Sequence, residues 1–326
     1  MKWQFSAGAA VQTGILFVPG SETTDDVIYF GSDDGHVYCV AAGNGSMQWK
    51  SDDQFGPLEA TPVIATWNAP SYTFNLTVVV TGGTSGILAY IVVQYSSASP
   101  PQHPVGSTWV SWGPVTTSGI WSISATPPSP PSYLVRFAIC GDLGLYLCYY
   151  SGCSLAVSAS LDPKVPLLFG PGGTVYAALP NGAAVGILCN VQSVSCSMKN
   201  VFEVAGPMIG AMAVGADGTL YGNAQGTLFA AYTTGPIAGK TNWQTHFYQQ
   251  ASTGVTLSNA TLIAGTWKNT LFGVCSQGSC TGLLSWQLQL PQSVTAHMFS
   301  SVVASSDGSR LYIGSLDHSV YCVALV

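Results

Sequence analysis

The sequence predicts an all-β protein: a seven-bladed β-propeller of four-stranded antiparallel blades, with residues 1–326 as one domain. Three observations predict it. VIYFGSDDGHVYCVAA at residues 27–42 nearly returns at the other end of the chain as RLYIGSLDHSVYCVAL, residues 310–325. Between them, a small apolar segment, a Gly-turned hairpin and a further β-rich segment recur at an average step of about 47 residues, near the length of a four-stranded blade. Composition agrees: 37 Gly and 19 Pro supply turns, and 15 Tyr with 9 Trp favour strands.

The innermost strand of each repeat comes first. GILFVP, TPVIAT, GIWSISA, VPLLFG, MIGAMAVG, VTLSNATLIAG and SSVVASSDG are small and apolar, as convergence at the centre of a ring demands. The hairpins follow, anchored at Tyr29, Val79, Phe137, Tyr176, Tyr221, Phe272 and Tyr312. YFGSDDGHVYCV, YAALPNGAAVGIL, YGNAQGTLFAAY and FGVCSQGSCTGLL show the alternation and turn residues of a β-hairpin. The outer strand comes last and often carries Trp: Trp49, Trp109 or Trp112, Trp243 and Trp286, with Leu155 and Phe202 near the equivalent places in the third and fourth repeats.

The seventh repeat stops after its third strand, and Lys2-Trp3-Gln4-Phe5 is an outer strand with no blade before it. Trp3 is expected to complete the last blade, closing the ring with no open sheet edge. An open β-solenoid would instead leave both terminal strands orphaned. Two Pro-rich stretches, residues 96–104 and 126–132, read as stiff extended connectors, with a partner-binding or O-glycosylated loop as the functional alternative.

Charge excludes some functions. Charged residues make up 7% of the chain, against about 25% in typical soluble domains. So little charge predicts a surface partly covered by glycans, partners or a larger assembly. Net charge is −6, and the eight basic residues form no stripe, which argues against nucleic acid. The most apolar run, residues 87–93, is too short for a transmembrane helix, and no apolar run follows Met1-Lys2-Trp3-Gln4-Phe5 to make a signal peptide. The chain is therefore expected to be a mature form or an excised domain.

Six of nine cysteines form close pairs, Cys148/Cys153, Cys189/Cys196 and Cys275/Cys280, with no zinc spacing among them. Local disulfides across hairpins are expected, and with them an extracellular or secretory-lumen setting. Cys140 is left unassigned; Cys39 and Cys322 occupy equivalent repeat positions and are expected to be buried free thiols. The sequon Asn44-Gly-Ser falls in a Gly-rich hairpin turn and Asn75-Leu-Thr in a loop before a strand, and both are expected acceptors, whereas Asn259-Ala-Thr falls in an expected inner strand and should be bare.

GSDDGHVYCVAAGNGSMQWK, residues 31–50, resembles the repeat of pyrroloquinoline-quinone-like (PQQ-like) propellers: an aromatic-rich strand, Gly-Ser, an Asp-Gly turn, a Tyr-Ala-Leu-like strand, and a Gly turn leading to Trp. The last repeat matches through Tyr321, the middle five in outline. Quinoprotein enzymes of that family hold the cofactor in the central funnel over a Trp floor, capped by a disulfide of adjacent cysteines and completed by a cation and an Asp base. Here there is no Cys-Cys dipeptide, no matching Glu, Asn and Asp set, and one repeat fewer than the usual eight. The resemblance therefore implies the non-catalytic branch, which includes outer-membrane assembly lipoproteins and luminal or extracellular sensor domains, and implies no quinone.

None of the five His lies at metal-ligand spacing, and no nucleophile elbow or phosphate loop occurs, so no catalytic residue is assigned. Loop alternation puts Asp33, Asp34, Asp52 and Asp53 on one face, joined across the seam by Asp317. Several such oxygens together are what Ca²⁺ requires, although ordinary Asp-Gly turns explain Asp33 and Asp34 without a metal. The expected function is a non-enzymatic binding or scaffold propeller for protein or glycan partners. Two alternatives belong to other classes: a divergent quinoprotein-type oxidoreductase using the funnel, and a structural glycoprotein subunit of a larger assembly.

Overall fold

The computed structural model describes residues 1–20, 25–68, 75–95, 108–112, 120, 122–125, 137–141, 144–149, 152–162, 165–170, 174–190, 195–202, 204, 206–246, 251–290 and 300–325. The Pro-rich stretches 96–104 and 126–132 lie outside the described residues. Among the described residues strands account for the regular structure, with one short 3-10 turn at Gly278–Cys280.

The described strands form seven four-stranded antiparallel sheets. The N-terminal strand β1 (Trp3–Ser6) stands apart from its sequence neighbours and joins the last sheet. Next come β2 (Leu16–Val18), β3 (Val27–Gly31), β4 (Val37–Ala41) and β5 (Met47–Lys50). The second sheet is β6 (Val63–Asn68), β7 (Asn75–Gly82), β8 (Leu88–Tyr95) and β9 (Thr108–Trp112); the third is β10 (Ser122–Ala125), β11 (Phe137–Gly141), β12 (Gly144–Tyr149) and β13 (Gly152–Ser158). The fourth is β14 (Leu168–Phe169), β15 (Thr174–Ala178), β16 (Ala184–Asn190) and β17 (Ser195–Phe202). The fifth is β18 (Ala213–Val214), β19 (Leu220–Ala224), β20 (Thr227–Ala231) and β21 (Thr241–His246). The sixth is β22 (Thr256–Ser258), β23 (Thr261–Gly265), β24 (Thr270–Cys275) and β25 (Leu284–Gln289). The last is β26 (Val303–Ala304), β27 (Arg310–Gly314) and β28 (Ser319–Ala324), completed by β1. Strands within a sheet are called A to D from the centre outward.

The arrangement is that of a β-propeller, with five blades detected where the repeat predicts seven. The second and third sheets belong to the repeats that the Pro-rich stretches lengthen, and most of their side chains lie outside the described residues. The A strands of neighbouring sheets adjoin: β6 with β10, β10 with β14, β18 with β22, β22 with β26, and β26 with β2.

The core lies between sheets. Along β3, Ile28 and Phe30 pack toward the last sheet beside Tyr312, Val320 and Cys322, while Tyr29 packs toward the second beside Ala89 and Ile91. Successive strand residues point to opposite faces, and both faces are covered, so B and C strands are apolar along their length. The D strands have only one covered face, and β5, β21 and β25 alternate exposed with half-buried residues.

A cross-strand row recurs from sheet to sheet. It reads Tyr29–Cys39–Trp49, Tyr221–Ala230–Trp243 and Tyr312–Cys322–Trp3. The B-strand Tyr and D-strand Trp rings meet at 5.7, 6.2 and 6.0 Å over the small C-strand residue. A bulky residue there would displace the rings; at Gly273 of the sixth sheet, an added Cβ would collide with Trp286. This is why Cys39 and Cys322 occupy the position: both are buried and free.

Three details depart from the sequence reading. Phe272 lies in the C strand β24 and not at the start of the hairpin, so the sixth repeat is displaced by one strand. VTLSNATLIAG is itself a hairpin, β22 turning at Asn259 and Ala260 into β23, because both turn residues adopt positive φ, 46° and 58°. In the second sheet the register places Val110 in the Trp row, between the proposed Trp109 and Trp112, and in the fourth it places Asn200 there, two residues before Phe202. A bulge in each C–D pair sets the row and is invisible in the spacing.

Candidate functional site

Antiparallel strands place the connections of each sheet alternately at two ends. A–B and C–D turns lie at one end; B–C turns and the D-to-A connections between sheets lie at the other. At the second end sit Asp33 and Asp34 in the first sheet's B–C turn, Asp317 in the last sheet's, and Asp52, Asp53 and Glu59 in the connection from β5 to β6. The sequence reading placed its five aspartates there; Glu59 was not among them, although it follows directly from its place before the second inner strand.

The segment 7–11 threads between the two acidic turns. Ala7 N–H donates to the His318 carbonyl at 2.7 Å, and Val11 N–H to that of Ser315 at 3.4 Å. On the other side the Ala10 carbonyl accepts from Asp33 N–H at 2.9 Å, and Gly8 N–H donates to the Tyr38 hydroxyl at 3.3 Å. Behind them, buried Thr13 and Ser300 brace the ends of β3 and β27: each hydroxyl accepts the N–H of the strand's last glycine, Gly31 at 3.0 Å and Gly314 at 2.7 Å.

Two of the carboxylates close their own turns. Asp34 accepts from the Tyr38 hydroxyl at 2.5 Å and from His36 N–H at 3.1 Å. Asp317 accepts from the Tyr321 hydroxyl at 2.5 Å and from Ser319 N–H at 3.1 Å. Burial, reinforced by the bond to the aspartate, pushes both phenols up to about 12. These are side-chain-closed turns, the ordinary use of aspartate at a hairpin.

Asp33 is placed differently. Its Oδ2 accepts from Gln12 at 2.6 Å, while Oδ1 is buried with no hydrogen-bond partner. Partial burial, and then the charge of Asp33, raise the Glu59 carboxyl above its ordinary range. Asp52 and Asp53 are exposed. Of the described cations, Lys50 lies over the Tyr38 ring at 5.9 Å, Lys268 sits away in the sixth sheet's B–C turn, and Lys199 is exposed partway along β17. Among the described residues no group of three or more His, Cys, Asp or Glu is arranged to hold a metal ion.

Cys189–Cys196 and Cys275–Cys280 are disulfide-bonded, each closing a C–D hairpin. The backbone register sets Cys148 opposite Cys153, but their side chains, like that of Cys140, lie outside the described residues. Asn44 is exposed in the first sheet's C–D turn and Asn75 opens β7, so both sit at the end opposite the acidic turns.

No helix among the described residues is long and apolar enough to cross a membrane. No family model and no curated protein matches the chain.

Proposed function

We propose that this chain is a seven-bladed, PQQ-like propeller of the non-catalytic branch, acting outside the cytosol as a binding or scaffold domain whose acidic end receives a partner protein presenting basic side chains. The distribution of charge carries the reading. Among the described residues Asp33, Asp34, Asp52, Asp53, Glu59, Asp162 and Asp317 share one end with Lys50 and Lys268, while Lys199 lies exposed partway along β17. At the other end Asp25, Asp26, Asp217 and Asp307 are offset by Lys2, Lys240 and Arg310. A patch of one sign steers an oppositely charged partner and disfavours like-charged ones. Two disulfides support the oxidising compartment. The blade count rests on the seven four-stranded sheets, and the family on the repeat motif at residues 31–50.

The test is binding of an oligoarginine peptide to the immobilised protein at low and high salt, with an oligoglutamate peptide as control. Binding should weaken with salt and fall about tenfold or more in the Asp52→Lys, Asp53→Lys double variant, whose altered side chains are exposed. Absence of binding by the unaltered protein, or equal binding by the variant, overturns the acidic end as the receiving surface.

A further inference from the structure

The first two residues of the sequon Asn259-Ala260-Thr261 form the two-residue turn between β22 and β23, and both are exposed. Asn259 is at φ 46°, a conformation that asparagine tolerates better than most residues, so the turn alone accounts for its presence. What the turn does not require is Thr two residues later, at the first position of β23, which makes the acceptor triplet.

Topology adds a second observation. Asn259 is in an A–B turn, Asn44 is in a C–D turn, and Asn75 is the first residue of a B strand, paired with Asn68 at the end of the A strand. All three sequons therefore fall at the same end of the propeller, opposite Asp33, Asp34 and Asp317. At Asn44 the side-chain Oδ1 accepts from Ser46 N–H at 3.0 Å, leaving Nδ2 to carry a sugar. At Asn259 the Nδ2 lies close against Gly308 in the neighbouring A–B turn, so a sugar is carried with the exposed side chain rotated away from that turn.

We propose that Asn259 is a third N-glycosylation site, and that with Asn44 and Asn75 it makes the A–B/C–D end a sugar-covered face. The attached chains leave the acidic end as the open one. This rests on the secretory setting of the proposed function. In the reaction, Asn259 Nδ2 displaces a polyprenyl diphosphate from C1 of the donor oligosaccharide. The C1–Nδ2 bond forms, the C1–O bond breaks, and the amide proton leaves with the diphosphate. Sugar at this end would add hydrated surface to a weakly charged chain.

The experiment is peptide mapping of protein from its natural source, with enzymatic deglycosylation in heavy-oxygen water to mark each formerly occupied Asn. Expected is a marked Asn259 peptide alongside those of Asn44 and Asn75. A bare Asn259 beside an occupied Asn44 overturns the third site and leaves the secretory reading standing; bare asparagines at all three positions overturn both. The same full chain, secreted behind a cleavable signal from a glycosylating host, gives the companion comparison. There Thr261→Val, which keeps a β-branched residue at the head of β23, should lose one glycan's mass, and an unchanged mass overturns the site.

Discussion

The first and last sheets carry the same row of residues and are held together differently. In the first, Tyr29, Cys39 and Trp49 lie on three consecutive strands. In the last, Tyr312 and Cys322 are consecutive, but the Trp arrives from the far end of the chain as Trp3. Trp3 also ties the two sheets together, donating from Nε1 to the Ala42 carbonyl at 3.0 Å. Gly45, at φ 77°, lies directly against its ring, leaving no space for a side chain. The contrast teaches that the row specifies its own pairing. A four-residue strand finds its place because one Trp matches one small buried position between two sheets.

Removing residues 1–6 breaks the comparison most severely. The last sheet then loses its D strand and the contacts that cover Cys322, while Cys39 keeps Trp49. Trp3 is half-buried, and its loss together with a whole strand should produce a clear fall in the unfolding midpoint. Maleimide labelling under native conditions should mark Cys322 rapidly and Cys39 slowly. Equal rates at both thiols would show that β1 does not protect the last sheet.

Alkaline titration sharpens the comparison through the two thiols. Burial pushes Cys39 from 9.0 up to about 12, and raises Cys322 as well, though there Arg310, Lys2 and the N-terminal amine pull against the rise. The Tyr38 and Tyr321 phenols move from 10.0 to about 12. Between pH 9 and 12 the folded chain holds protons that the unfolded chain has lost. The stabilisation is therefore complete below pH 9 and disappears as pH climbs through 12. Denaturant melts across that range should show a steady decline, with Cys322 becoming thiolate before Cys39 by ultraviolet absorbance. A flat stability profile, or the reverse order, contradicts the account.

The smallest effect separates the two closed turns. Tyr38→Phe removes a bond to Asp34 and leaves Gly8 N–H without its acceptor, whereas Tyr321→Phe removes the equivalent bond to Asp317. Each should cost about 1 kcal/mol, with the Tyr38 variant the more destabilised of the two. Equal losses would mean that the threading segment contributes nothing through Gly8.

The regular parts of this architecture were legible because they depend on local pattern. Small inner segments, Gly-turned hairpins and Trp-bearing outer strands repeat often enough to mark the sheets, and the displaced Trp3 marked the seam. The sixth repeat was misread by one strand because its inner hairpin, turning at Asn259 and Ala260, lacks the Gly on which the other turns were recognised. The same misreading hid Asn259 as an exposed residue. At the acidic end the five aspartates could be assigned to one face by counting strands. Their individual roles could not, since Tyr38, Gln12 and Glu59 reach them only across turns or between sheets.

By itself the sequence determined the succession of inner strand, hairpin and outer strand, the terminal strand that completes the last sheet and the end of the ring at which the acidic turns fall, because side-chain alternation and chain reversal are local and periodic. Tertiary structure decided which carboxylates are spent on their own turns and which face solvent. It also decided that the two buried thiols expected from the sequence lie beneath paired Tyr and Trp rings. Those outcomes depend on bulges that shift register by one residue and on contacts between sheets, and neither leaves a mark in the spacing of residues along the chain.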